Sequence, residues 1–177
     1  MKVLLHTCCA PCLIFPADKL AEQGHELTTF YYNPNIHPFS EFDRRRDAYL
    51  RYCRTQNLAV IEDVYDFENY LRQVAFHEDE RCSICYRMRM MKTAEIAAHR
   101  GFDAFSTTLL VSPYQKHEDL AEAGREAAAC HGVDFLYQDW RSGFRVGRTR
   151  ARELGIYTQK YCGCVYSEAE RLAKNID

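Results

Sequence analysis

The sequence predicts a single α/β domain over residues 1–177, a doubly wound and mostly parallel sheet with helices on both faces, like HUP and Rossmann folds. Three observations predict it. Short apolar runs alternate along the chain with helical stretches of about ten to twenty residues, which is the pattern of successive right-handed βαβ units. No internal repeat, linker or low-complexity segment divides the chain. Its 177 residues suffice for one core, burying roughly 70% of the unfolded chain's surface.

The elements follow in order. Residues 3–7 are a buried strand, and Pro11 opens a helix to residue 23, because proline suits the first helical turn. Gly24 stops that helix. "HELTTFYYN" is the second strand, ending in the turn-rich "NPNIHP". A polar helix over about residues 40–57 leads to the strand "AVIEDV" and a short helix within "DFENYLRQVA". "RCSICYRMRMMKTAEIAAHRG" is a long helix closed by Gly101, and "DAFSTTLLV" is the next strand. Ser112, Pro113 and Gln115 read as a capping box opening a helix to residue 131. "VDFLYQDW" is the last strand; an arginine-rich segment and a final helix from about residue 167 follow. Ligands of such sheets bind beyond the carboxyl ends of the strands. The turns "HTCCAPC", "NPNIHP" and "SPYQK" therefore come to one edge.

"MKVLLHTCC" turns polar too quickly for a signal peptide, and no run approaches the ~20 apolar residues of a membrane span. The expectation is a cytoplasmic protein with no membrane partner. A net charge of −2 demands no polyanionic partner, yet Arg141, Arg145, Arg148, Arg150 and Arg152 fall in one segment without an acid. This segment, "FDRRRDAYLRYCR" and "RCSICYRMRMMK" all read equally well as solvated faces.

Nine cysteines are too few for a disulfide scaffold and odd in number, so in a reducing compartment they suit metal binding or thiol catalysis. Cys53 and Cys130 sit alone on helical patterns, as core or half-buried residues. Seven remain: Cys8, Cys9 and Cys12; Cys82 and Cys85; Cys162 and Cys164. No glycine precedes Gly24, so the first turn offers thiols where a nucleotide-binding domain offers backbone amides. Adjacent Cys8 and Cys9 point to opposite sides if the strand continues, while Cys9 and Cys12 converge across the turn. Three readings stay open. A structural zinc site uses the two CxxC pairs and leaves three thiols over. An iron–sulfur cluster with a second metal beside it uses all seven. A thiol–disulfide enzyme needs one pair.

In sequence order, "HTCCAPC", "FYYNPNIHP", "RCSICYRMRM", "STTLLVSPYQKHE", "DWRSGFR" and "QKYCGCVYS" resemble the cobalamin-independent epoxyqueuosine reductase family, from about residue 4 to residue 167. The resemblance implies a HUP-like fold, a 4Fe-4S cluster, an adjacent mononuclear iron, and reduction of epoxyqueuosine in tRNA to queuosine. By this resemblance Cys9, Cys12, Cys82 and Cys85 match the cluster ligands. Cys12 stands where the family also uses aspartate. Cys8, Cys162 and Cys164 match the ligands of the second iron, although spacing leaves an exchange of Cys8 with Cys9 open. Removing the epoxide oxygen takes two electrons, from a donor the sequence does not identify, and two protons. His37, Tyr114 and Lys116, on strand-end loops, are the candidate proton donors. The arginine segment is the candidate tRNA contact, with Tyr31, Tyr32 or Phe144 as stacking partners for a base. The non-catalytic alternative is a zinc-stabilised RNA-binding module.

Overall fold

The computed structural model describes residues 1–173. Five strands form one parallel sheet: β1 Lys2–His6, β2 Glu26–Tyr31, β3 Ala59–Glu62, β4 Ala104–Thr107 and β5 Asp134–Phe135. Their spatial order is β3-β2-β1-β4-β5. The helices are α1 Ala10–Glu22, α2 Phe39–Thr55, α3 Phe67–Val74, α4 Arg81–His99, α5 His117–His131, α6 Phe144–Glu153 and α7 Val165–Ala173. The strand order reverses direction between β1 and β4. Right-handed crossovers running one way across a sheet land on one face, and those running back land on the other. Accordingly α1 packs with α2 and α6, and α4 packs with α3 and α5. The switch point, where such sheets bind ligands, lies between the ends of β1 and β4.

Val3, Leu4, Leu5, Phe30 and Phe105 are buried between the helical layers, as near-continuous apolar strands of a parallel sheet require. His6 ends β1 in register with Phe30 of β2 and Thr107 of β4. Its Nδ1 lies 2.9 Å from the Thr107 hydroxyl and its Nε2 lies 3.0 Å from the Tyr32 carbonyl oxygen. Burial pushes its pKa down to about 3, so a neutral imidazole ties three strand ends together beneath the cysteine turn.

Several elements differ from expectation. The strand expected over residues 103–111 stops at Thr107, whose hydroxyl accepts the Leu109 N–H at 3.2 Å and starts a 3-10 turn over Thr108–Val111. The expected capping box does not form: the Ser112 hydroxyl accepts the Tyr114 N–H at 3.3 Å, and α5 begins five residues later, at His117. The last strand keeps only two residues, Asp134 and Phe135, paired with β4 at the sheet edge. Cys53 is buried as expected, but Cys130 is exposed on α5.

The arginine segment holds α6, a helix that its glycines concealed from propensity. Gly143, Gly147 and Ala151, spaced i, i+4, i+8, form the buried stripe that lets α6 approach α1. A Cβ on Gly147 would stand 2.6 Å from the Pro11 carbonyl oxygen. Alanine gains about 1 kcal/mol of helix propensity over glycine, whereas a backbone clash of this kind costs about 1–3 kcal/mol. Gly147→Ala is therefore expected to lower the urea midpoint with an unchanged m-value. A raised midpoint would contradict the packing.

Candidate metal centre

The cysteine turn is built by the ends of β1 and α1. The chain bends at Cys8, so the alternation of a continuing strand no longer applies. The Cys8 and Cys9 sulfurs, expected to diverge, lie 3.7 Å apart. Cys9 is the extended residue before α1, and Cys12 returns one turn later behind Pro11. All three Sγ atoms fall within 4.8 Å of one another, and all three residues are buried. From β4's end, Thr108 accepts the Cys8 N–H at 3.1 Å and its hydroxyl donates to Cys8 Sγ at 3.5 Å. Gln159 donates to Cys9 Sγ at 2.9 Å.

The other four clustered thiols lie alongside. Cys82 and Cys85 share the first turn of α4, where Arg89 donates to Cys85 Sγ at 3.0 Å. The Cys-Gly-Cys segment lies beside them, with Cys164 buried against Cys85 and Cys162 exposed. Cys164 packs with Tyr70, Val74 and Cys85, and Gln115 donates to Cys162 Sγ at 3.5 Å. The Cys-Gly-Cys segment is fastened by Arg45, which donates to the carbonyl oxygens of Cys162 at 2.8 Å and Tyr161 at 3.1 Å. Arg45 also pairs with Glu41 at 2.7 Å, and the Tyr157 hydroxyl donates to the same carboxylate at 2.7 Å. The His37 N–H reaches the Gly163 carbonyl at 2.8 Å. Only glycine fits there: its φ is +146°, and a Cβ would meet Ile36 Cγ1 at 3.0 Å. Gln159, just ahead of Tyr161, donates to Cys9 Sγ, so the segment borders the N-terminal trio.

Within the trio, hydrogen bonds from Cys12 and Cys9 hold the Cys8 pKa well down, so its proton leaves first. Donation to Cys8 holds Cys12 up, and burial holds Cys9 up. Burial also pushes Cys85 up to about 12. A dry, all-sulfur donor set with one readily formed thiolate suits a thiophilic metal or an iron–sulfur centre, not magnesium or calcium. The buried three-cysteine group can hold such a metal cluster.

Of the expected site residues, Cys9 and Cys12 lie with Cys8, and Cys85 packs with Cys164, while Cys82 is half-buried and Cys162 is exposed. His37 is half-buried against Tyr70, and neither ring nitrogen has a partner among the described residues. Tyr114 is 82% exposed, and Lys116 is exposed just before α5. Arg141 pairs with Asp139, Arg150 with Asp18 at 2.6 Å, and Arg148 lies over the Phe144 ring; Arg145 and Arg152 are exposed. Tyr31 and Tyr32 are core residues, closed to a base. Sequence reasoning missed Arg45 and Arg89, reading their basic segments as solvated faces. Nothing in a run of arginines marks the one that turns inward.

A family model described as Epoxyqueuosine reductase QueH matches residues 3–170. Proteins named Epoxyqueuosine reductase QueH from Dehalococcoides mccartyi and Thermotoga maritima are 40% and 35% identical to the chain. The first comparison covers 98% of this chain and 96% of the relative; the second covers 99% and 94%. A relative of the same name from Acinetobacter baylyi is 36% identical, over 94% of this chain and 80% of its own. Among solved structures, a predicted subunit of tRNA methyltransferase from Methanocaldococcus jannaschii has a TM-score of 0.56 at 10% identity, over 86% of this chain and 76% of that one, a likeness of fold alone. With the cysteine turn, the CxxC of α4 and the Cys-Gly-Cys segment all inside the matched span, the chain belongs to the epoxyqueuosine reductase QueH family.

Proposed function

We propose that the chain reduces epoxyqueuosine in tRNA to queuosine, working in the cytoplasm with electrons from a donor protein or small reductant. The observation that carries this reading is the buried trio of cysteine sulfurs at the switch point of the sheet, with Cys85 packed against Cys164 and joined to the cysteine turn through Arg89 and Asn33. The reaction takes two electrons and two protons per epoxide and yields an alkene and water. The assignment is Cys9, Cys12, Cys82 and Cys85 to a 4Fe-4S cluster and Cys8, Cys162 and Cys164 to a mononuclear iron. The 3.7 Å between the Cys8 and Cys9 sulfurs would make the two centres neighbours. Such centres supply a Lewis acid for the departing oxygen and a store for electrons.

The chain's own residues do the rest. His37, Tyr114 and Lys116 are the proposed proton donors. Burial lowers the His37 pKa, which makes its proton easier to give up once it is charged. Gln115 both reaches Cys162 and lines a groove of about 750 Å³ shared with Lys116, Arg125 and Arg141, and with the acids Glu118 and Asp119. Tyr114, next to Gln115 in the chain, is set edge-on to Phe144 at the start of α6, whose arginines together with Arg141 are the proposed RNA surface. No helix among the described residues is long and apolar enough to cross a membrane.

Anaerobic metal and sulfide analysis tests the reading. Roughly five irons and four sulfides per chain are expected; one zinc without sulfide would replace an enzyme with a zinc-stabilised binding module. For the RNA surface, charge reversal of Arg145 and Arg148 together is expected to weaken tRNA binding and reduce its salt slope by about 1–2. Unchanged binding across a salt series would reduce α6 to a solvated helix.

A further inference from the structure

Two arginines are buried beside the thiols, and they differ in what balances them. Arg45, 1% exposed, has the Glu41 carboxylate. Arg89, 2% exposed, has no carboxylate within ion-pair distance among the described residues. Its Nη2 donates to Cys85 Sγ at 3.0 Å, its Nη1 reaches Asn33 Oδ1 at 3.4 Å, and its Nε has no partner there. A guanidinium does not lose its proton in a protein, and a buried cation without a counter-charge is destabilising. The sulfur it touches is that of Cys85, and through Asn33 it is tied to Thr7 at the start of the cysteine turn. Arg89 therefore stands charged and dry between the CxxC of α4 and the cysteine turn.

We infer that Arg89 is a positioning residue that raises the reduction potential of the iron–sulfur centre, by donating to the Cys85 sulfur and holding a fixed positive charge between the thiol groups. The inference rests on the cofactor assignment proposed above. Reduction adds one electron to the centre and breaks no bond; the added negative charge is stabilised by a nearby cation and by an N–H aimed at a ligand sulfur. Asn33 sets the guanidinium's angle from the far side, and its own Nδ2 donates to the Thr7 carbonyl at 2.9 Å, so the fork is anchored to the cysteine turn.

The test is a potentiometric titration with dithionite, followed by electron paramagnetic resonance, on anaerobically purified wild type, Arg89→Gln and Arg89→Lys. Arg89→Gln is expected to lower the equilibrium constant for reduction about tenfold, a fall of about 59 mV for one electron. Arg89→Lys, which keeps the charge and loses the fork, should fall less. A second measurement needs no variant: wild type grown with ¹⁵N-arginine should show ¹⁵N hyperfine coupling in its reduced centre. Unshifted potentials in both variants, or no coupling in the labelled wild type, would overturn the role given to Arg89. A wild type with no iron–sulfur signal at all would instead overturn the cofactor reading beneath it.

Discussion

Arg45→Met is expected to cost about 3–5 kcal/mol of folding stability, because it leaves the Glu41 carboxylate buried and unpaired. The same change strips the Tyr161 and Cys162 carbonyls of their donors. The exposed Arg150–Asp18 pair makes the contrast: its removal should cost no more than about 1 kcal/mol. Burial, and not the count of ion pairs, decides between the two. Chemical denaturation measures both, with thiol labelling of metal-free protein as the second readout. In Arg45→Met, the buried Cys164 should react with maleimide several times faster, and Glu41→Gln in the same chain should recover part of the stability. A loss under about 1 kcal/mol with unchanged labelling would mean that the Cys-Gly-Cys segment is held by something else.

Removing single thiols should separate the two proposed centres. Cys164→Ala is expected to abolish epoxide reduction while keeping about four irons per chain and most of the cluster's absorption. Cys9→Ala is expected to lose the cluster itself. Cys9 sits at the start of α1 and is reached by Gln159, while Cys8, whose sulfur lies 3.7 Å away, is committed to the second iron in this assignment. Iron and sulfide counts on the two variants decide the matter independently of activity. Loss of the cluster in Cys164→Ala would show that the ligands are divided differently between the centres.

The strand and helix sequence was legible because each βαβ unit announces itself locally: a short apolar run, a turn, an amphipathic stretch and often a closing glycine. Where local signals failed, a distant contact had taken over. The Gly143, Gly147 and Ala151 stripe reads as helix-breaking until α1 is placed against it. Ser112 and Gln115 mimic a helix cap because their spacing is right, but Gln115 is drawn instead to the Tyr86 hydroxyl and Cys162.

The sequence by itself determined that seven cysteines fall in three clusters and that the first of them lies at the carboxyl end of β1, since a parallel sheet sends every strand-end turn to one edge. Only the tertiary structure decided how they group. The bend at Cys8 brings three sulfurs within 4.8 Å where strand alternation would have parted two of them. The inward turn of Arg45 and Arg89 depends on α2 and α4 docking against the cysteine turn and the Cys-Gly-Cys segment. Spacing along a chain sets the direction of a side chain within its own element, but the environment it enters, dry or wet, paired or unpaired, is fixed by whichever element packs there.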